Sequence, residues 1–280
     1  MCGRVSPCLL LRSGRVSVAL AVTYHDPEGR MYPQIQRALP VLRRVFGGLA
    51  IRASHRAYKP SLDLWAKAGA AIAQGSPDQA VERFKLGQAR RDAVALALTL
   101  DCAHLFYCDG DRILHWAERY PEELAEVARR VIEFDFTVLG RTPRAFDSHP
   151  RIQRDTESIV NHVFALVSGR AWDVTAAARG LARRAADLIL AGCPDEEVST
   201  DVTWTLFLKR RGNLSLGYIE TEGLEFETAD RYADQVAQAG GMAQWMAQLD
   251  SSPRNWAHRL DMARVEVEGM FPYLDMDVER

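Results

Sequence analysis

From Arg15 onward, short runs rich in β-forming residues alternate with longer stretches of helical period, and that alternation admits few folds. Strands joined through helices return to the sheet in parallel, so the pattern predicts an α/β fold: a mostly parallel central sheet with helices on both faces. The first strand, Val16 to Thr23, is apolar at nearly every position, as a strand covered on both sides must be. It ends in the polar turn Tyr24-His25-Asp26-Pro27-Glu28-Gly29. A helix is expected from Pro33 to Phe46, with Ile35, Leu39, Leu42 and Phe46 on one stripe and Gly47-Gly48 as its stop. Leu49 to Ala53 then reads as a strand, Ser61 to Gln74 as a helix, Arg83 to Leu86 as a strand and Gly87 to Leu100 as a helix. His104 to Cys108 and Phe136 to Leu139 read as further strands, separated by a helix from Pro121 to Glu133. Helices over Arg151 to Val167, Leu181 to Ala191 and Thr200 to Arg211 precede a late strand, Leu214 to Ile219.

Three regions follow from this pattern: an N-terminal segment, residues 1–15, expected to be disordered or mis-assigned; a sheet domain, 16–225; and a helical C-terminal segment, 226–280. The last carries Trp245, Trp256, Pro272 and Tyr273, and its helices are expected to pack on the domain or on a second copy of the chain. A formal net charge of −2 over 280 residues gives no general attraction to nucleic acid or anionic lipid. No apolar run reaches the roughly 18 residues of a membrane span. The patch Cys8 to Leu11 falls short of the about 7 to 15 apolar residues of a secretory signal, so a cytoplasmic location is expected. Five cysteines, odd in number and unevenly spaced, read as reduced thiols.

The stretch Phe106-Tyr107-Cys108-Asp109-Gly110-Asp111-Arg112 is the richest in chemistry. In open parallel sheets ligands bind outside the carboxyl ends of the strands. Two carboxylates there, separated by a glycine, can hold a divalent cation, Mg²⁺ or Mn²⁺, and the cation can neutralise a diphosphate. Asp-Gly-Asp is also ordinary turn chemistry. One βα unit earlier, Gly87-Gln88-Ala89-Arg90-Arg91-Asp92 places two guanidiniums at a helix start, where a phosphate could be met. His104 and His115, Arg141 to Arg144, His149-Pro150, Thr156-Glu157 and Asn161-His162 are secondary candidates for binding, for which structural roles are the expectation.

In this order and spacing the motifs resemble the GT-A superfamily of nucleotide-sugar glycosyltransferases, over Val16 to Ile219, and most nearly small prokaryotic enzymes of the mannosylglycerate synthase kind. Asp109-Gly110-Asp111 is similar to the family's Asp-x-Asp motif, and Gly87 to Arg91 to its helix start before the metal. The resemblance implies that Thr23, Tyr24 and Asp26 form the nucleotide-contacting loop, that Arg90 or Arg91 meets phosphate, and that Asp109 and Asp111 serve metal and diphosphate. It also implies acceptor-side roles for Asp173, in Ala171-Trp172-Asp173-Val174-Thr175-Ala176-Ala177-Ala178-Arg179-Gly180, and for Asp201, which would orient or deprotonate a hydroxyl acceptor. The alanine run stands where the family often has glycine. The chain lacks a Gly-x-Gly-x-x-Gly fingerprint after the first strand, a phosphate-loop motif, Cys-x-x-Cys, His-Glu-x-x-His and Gly-x-Ser-x-Gly. A sugar-phosphate nucleotidyltransferase and a non-catalytic binding or scaffold module are the alternatives to a glycosyltransferase.

Overall fold

The computed structural model describes residues 17–76 and 86–274. Its elements run β1 (Val18–Tyr24), α1 (Tyr32–Val45), β2 (Gly48–Ala53), α2 (Lys59–Lys67), β3 (Ala71–Gln74), α3 (Leu86–Leu98), β4 (His104–Asp109), α4 (Gly110–Arg119), α5 (Pro121–Arg130) and β5 (Phe136–Arg141). They continue through α6 (Pro143–Asp147), α7 (Arg151–Ser168), β6 (Ala178–Ala182), α8 (Arg183–Gly192), α9 (Thr200–Arg211) and β7 (Leu216–Thr221). The C-terminal segment forms α10 (Thr228–Arg231), α11 (Ala233–Gln238), α12 (Met242–Asp250) and α13 (Pro253–Gly269).

Among the described residues the strands form one seven-stranded sheet in the order β3-β2-β1-β4-β6-β5-β7. Only β6 runs against its neighbours β4 and β5. That reversal matters for the site. Cys108 near the end of β4 faces Ala178 at the start of β6, so the segment leading into β6 arrives beside the carboxyl ends of β1 and β4.

Period-two alternation along the strands splits the interior into two apolar layers. Leu20, Val22, Phe106 and Cys108 face α1, α4 and α5, meeting Ile35, Leu39, Leu42, Ile113, Trp116 and Leu124. Ala19, Ala21, Ala50 and Tyr107 face the opposite side, where Ala93, Val94 and Ala97 of α3 and Trp204 of α9 pack. The alanines on both partners let α3 approach the sheet closely, which brings the start of α3 over the carboxyl ends of β1, β2 and β4. Ala263 of α13 joins this second layer, so the C-terminal segment is packed on the sheet domain.

Three expectations need correction. Ala71–Gln74 is an edge strand paired in parallel with β2, and α2 ends at Lys67 because Gly69 takes a φ of 86° that breaks the helix. The expected strand at Arg83 to Leu86 falls outside the described residues except for Leu86, which begins α3. Gly110 to Arg119, where the sequence reading assigned no element beyond a possible Asp-Gly-Asp turn, is α4, with a buried stripe of Ile113, Leu114, Trp116 and Ala117. Residues 1–15, with Cys2 and Cys8, lie outside the described residues; Cys108 and Cys193 are buried thiols. Among the described residues no helix is long and apolar enough to cross a membrane.

Candidate active site

Register builds the site. Thr23 of β1 stands opposite Arg52 of β2 on one side and Asp109 of β4 on the other. Alternation puts all three side chains on the α3 face, one row from the end of the sheet. The Thr23 hydroxyl donates to Asp109 Oδ1 at 2.6 Å, and the Tyr107 hydroxyl donates to the same oxygen. Arg90 Nη2 reaches Asp109 Oδ2 at 3.2 Å, while its Nη1 meets Asp201 Oδ1 at 2.9 Å and Thr200 Oγ1 at 3.0 Å. Arg90 therefore clasps the end of β4 to the first turn of α9. Beside it, Arg52 Nε pairs with Asp92 Oδ2 at 2.9 Å, and Gln88 donates to Asp92 Oδ1 at 2.7 Å.

Burial works against ionisation of Asp109, but the neighbouring Arg90 charge and the two hydroxyls outweigh it and hold the carboxyl below the usual carboxylate range. Burial pushes the Asp201 carboxyl up, with Asp109 adding to the shift and Arg90 and Arg179 holding part of it back. Arg179 lies 3.6 Å from Asp201 and donates to the carbonyls of Val174, Ala178 and Asp201, pinning the backbone that enters β6.

Asp111 sits in the first turn of α4, a position that suits a carboxylate at a helix N-terminus. Its Oδ1 accepts from the Arg112 amide at 3.0 Å, and its Oδ2 lies 3.3 Å from Arg231 of α10. The glycine between the two aspartates is required by contact: a Cβ on Gly110 would stand 2.8 Å from the Thr23 carbonyl oxygen. Among the described residues no group of three His, Cys, Asp or Glu side chains is placed to hold a metal. Hard oxygen donors one residue apart do suit Mg²⁺ or Mn²⁺, and Asp111 is about a quarter exposed (24%) with only the Arg231 pair on Oδ2. The residues present thus fit a cation whose remaining ligands come from a bound diphosphate.

A cavity of about 130 Å³ opens from this edge and is roofed by α13. Arg90, Asp109 and Asp201 line it, as do Arg112 of α4, Thr156 and Glu157 of α7, Thr175 and Ala177, and Arg259, Met262, Ala263 and Glu266 of α13. Arg259 closes on Glu157 at 2.5 Å, tying α13 to α7. Burial, with Asp201 and Glu157 nearby, pushes the Glu266 carboxyl well above its ordinary range. Nη1 of Arg112 and Nε of Arg90 are buried without a hydrogen-bond partner.

Thr23, Arg90, Asp109 and Asp201 are therefore brought together, with Asp111 two residues beyond Asp109. Of the secondary candidates Thr156 and Glu157 also line the cavity, whereas the remaining candidates lie elsewhere. Tyr24 is buried and its hydroxyl donates to Asp26, whose carboxylate accepts the amides of Arg30 at 3.0 Å and Met31 at 2.7 Å; both residues hold the turn after β1 closed. Arg91 points the other way and donates to the carbonyls of Ile189, Leu190 and Cys193, closing the end of α8. The amide of Gln88 is taken by the Glu196 carbonyl at 3.0 Å, so the start of α3 is capped by chain. Asp173 binds Arg141 through both oxygens, at 2.7 and 2.8 Å, and Asn161 at 2.8 Å. Despite its burial, Asp173 is held far below the carboxylate range by that guanidinium, which makes it a positioning group for Arg141 and the residue 173–175 backbone. His115 lies away from the aspartates, between Asp230 at 2.7 Å and Glu225 at 3.2 Å. His149 is fully buried, donates to the Ala145 carbonyl, and is depressed to about 3 by burial and the Arg141 charge. His104 is at the opposite end of β4.

Arg112, Arg259 and Glu266 escaped the sequence reading. Arg112 directly follows the paired aspartates. Arg259 and Glu266 lie one turn either side of the buried Ala263, so charged groups in line with an apolar stripe were the available signal.

No family model matches the chain, and no curated protein matches it. Among solved structures, the chain resembles glucosyl-3-phosphoglycerate synthase from Mycobacterium tuberculosis in complex with phosphoglyceric acid, at 10% identity and a TM-score of 0.51, covering 73% of this chain and 70% of that one. It resembles the same enzyme in complex with uridine diphosphate at 12% identity and a TM-score of 0.51, covering 82% and 80%. At such identity the likeness is one of architecture, and the chain has a GT-A-like fold.

Proposed function

We propose that this chain is a metal-dependent glycosyltransferase that moves a sugar from a nucleoside-diphosphate donor to a hydroxyl acceptor. The supporting observation is the convergence of Thr23, Arg90, Asp109 and Asp201, with Asp111 beside them, at the carboxyl edge of a GT-A-like sheet and over a cavity of about 130 Å³. A hydroxyl, a guanidinium and three carboxylates there match what a diphosphate, its cation and an acceptor hydroxyl require.

Mg²⁺ or Mn²⁺ held by Asp111, with Asp109 beside it, would stabilise the charge that develops on the leaving diphosphate. Thr23 and Tyr107 fix the Asp109 rotamer through its Oδ1. Asp109 and Asp201 together fix Arg90, whose unpartnered Nε leaves a donor at the cavity wall. Asp201 would orient or deprotonate the acceptor hydroxyl, a role supported by its place in the cavity lining and by the upward push of burial on its carboxyl. Glu266, whose carboxyl is pushed well above its ordinary range by burial and by Asp201 and Glu157, faces the cavity from the α13 side. Arg112 supplies a further unpartnered donor at the same wall.

The test is release of nucleoside diphosphate from UDP- and GDP-sugars with Mn²⁺, followed by chromatography while small hydroxyl acceptors are varied. The M. tuberculosis enzyme was captured with uridine diphosphate, which makes UDP-sugars the first to try. Acceptor-dependent release that falls on the order of 100-fold in Asp111→Asn is the expected result. Full activity in that variant contradicts the assignment, and donor binding without turnover favours the non-catalytic module.

A further inference from the structure

We propose that Arg231 is a built-in counter-cation for Asp111 that yields this carboxylate to an arriving divalent cation and turns its guanidinium to the donor's diphosphate; the second half rests on the donor-site reading above. Arg231 is 120 residues from Asp111 in sequence and reaches it from the C-terminal segment. Its Nη1 lies 3.3 Å from Asp111 Oδ2, long for a charge-assisted contact, whose ordinary range is about 2.7 to 2.9 Å. Its Nη2 donates to the His25 carbonyl at 3.2 Å, and its Nε is buried with no partner. One guanidinium thus bridges α10, the turn after β1 and the start of α4, the three segments that frame the expected diphosphate.

The anchor of this side chain is separate from its head. Asp230, the preceding residue, accepts from Gln34 of α1 at 3.0 Å and pairs with His115 of α4 at 2.7 Å, which holds α10 in place. Exchange at Asp111 therefore needs only a side-chain movement. At 21% exposure the guanidinium keeps contact with solvent, so leaving Asp111 carries no large desolvation barrier. A guanidinium and a divalent cation compete for the same carboxylate oxygen, and the displaced guanidinium presents a planar fork suited to phosphate oxygens. A cation binding alone must displace Arg231 without replacing its partner. With a diphosphate present Arg231 regains an anion, so cation and diphosphate bind cooperatively.

The experiment is titration of the full chain with Mn²⁺ alone, read by electron paramagnetic resonance of the free ion, then with UDP present, for wild type, Arg231→Gln and Arg231→Lys. Arg231→Gln is expected to bind Mn²⁺ alone about 3- to 5-fold more tightly, the scale of a partly exposed ion pair. The enhancement of Mn²⁺ affinity by UDP is expected to shrink about 5-fold or more in that variant. Arg231→Lys keeps the charge but loses the fork, so its Mn²⁺ affinity shifts in the same direction by less; this variant decides the matter if the glutamine variant does not fold. Unchanged or weaker binding of Mn²⁺ alone in the variants overturns the exchange. Tighter Mn²⁺ binding with no UDP binding in any of the proteins supports the exchange at Asp111 and contradicts the hand-over together with the donor-site reading.

Discussion

Ala177 carries a φ of 51°, and among the described residues it is the one non-glycine with a positive φ. It sits in the cavity wall, in the alanine run before β6, where the backbone takes a left-handed turn that an alanine resists. Relief of that strain outweighs the extra chain entropy of glycine. Ala177→Gly is expected to stabilise the fold by about 0.5 to 1 kcal/mol in denaturant melts, and a loss of stability would contradict the strain. Neighbouring residues show how finely such roles divide. Arg90 and Arg91 are indistinguishable as a sequence pair, yet successive helix residues point about 100° apart, which sends one to Asp109 and the other to the end of α8. Asp109 and Asp111 were legible because a buried strand ends at them. Asp26 and Asp173 were legible as acids in the right loops, but their partners, backbone amides in one case and Arg141 in the other, come from folding and leave no trace in local sequence.

At the scale of elements, α13 decides whether the site is a groove or a chamber. Its Glu266 is buried against Asp201 and Glu157, and its carboxyl is raised by that burial and those charges. A raised acid contributes its full stability below its ordinary pKa and loses it as pH rises through the folded value. Glu266→Gln, which keeps the neutral shape, is therefore expected to melt with the wild type at pH 4 and above it at pH 8. An equal difference at both pH values would show that ionisation of Glu266 is not the cause. Elements of strong period were the readable ones: Thr200–Arg211 appears as expected, and α1 and α7 within a residue or so. The edge strand β3 was hidden because Ala-Ile-Ala-Gln carries helical propensity and is set by pairing with β2. The α4 helix was hidden because Asp-Gly-Asp reads as a turn, and its buried apolar stripe begins only at Ile113.

Across the whole molecule the order β3-β2-β1-β4-β6-β5-β7 explains why residues far apart in sequence share one edge. Parallel β1 and β4 deliver Thr23 and Asp109 in register, antiparallel β6 returns Ala177 to the same end, and the C-terminal helices close over it with Arg231 and Glu266. The mostly parallel α/β class and the placement of Asp109 at the carboxyl end of a buried strand could be read from alternation and motif order, whereas the C-terminal contribution to the cavity could not, because its helices are positioned by contacts to α4 and α7. The most direct test of the donor site is a thermal-shift comparison of the purified chain with UDP and GDP, each with and without Mn²⁺, in wild type and in Asp109→Ala/Asp111→Ala. Binding to the native state alone raises its stability, and saturation near 100 times Kd corresponds to a rise of roughly 5 °C. A rise of that size with one nucleotide, dependent on Mn²⁺ and absent from the double variant, is the predicted result; no rise with either nucleotide, or an equal rise in the double variant, would contradict it.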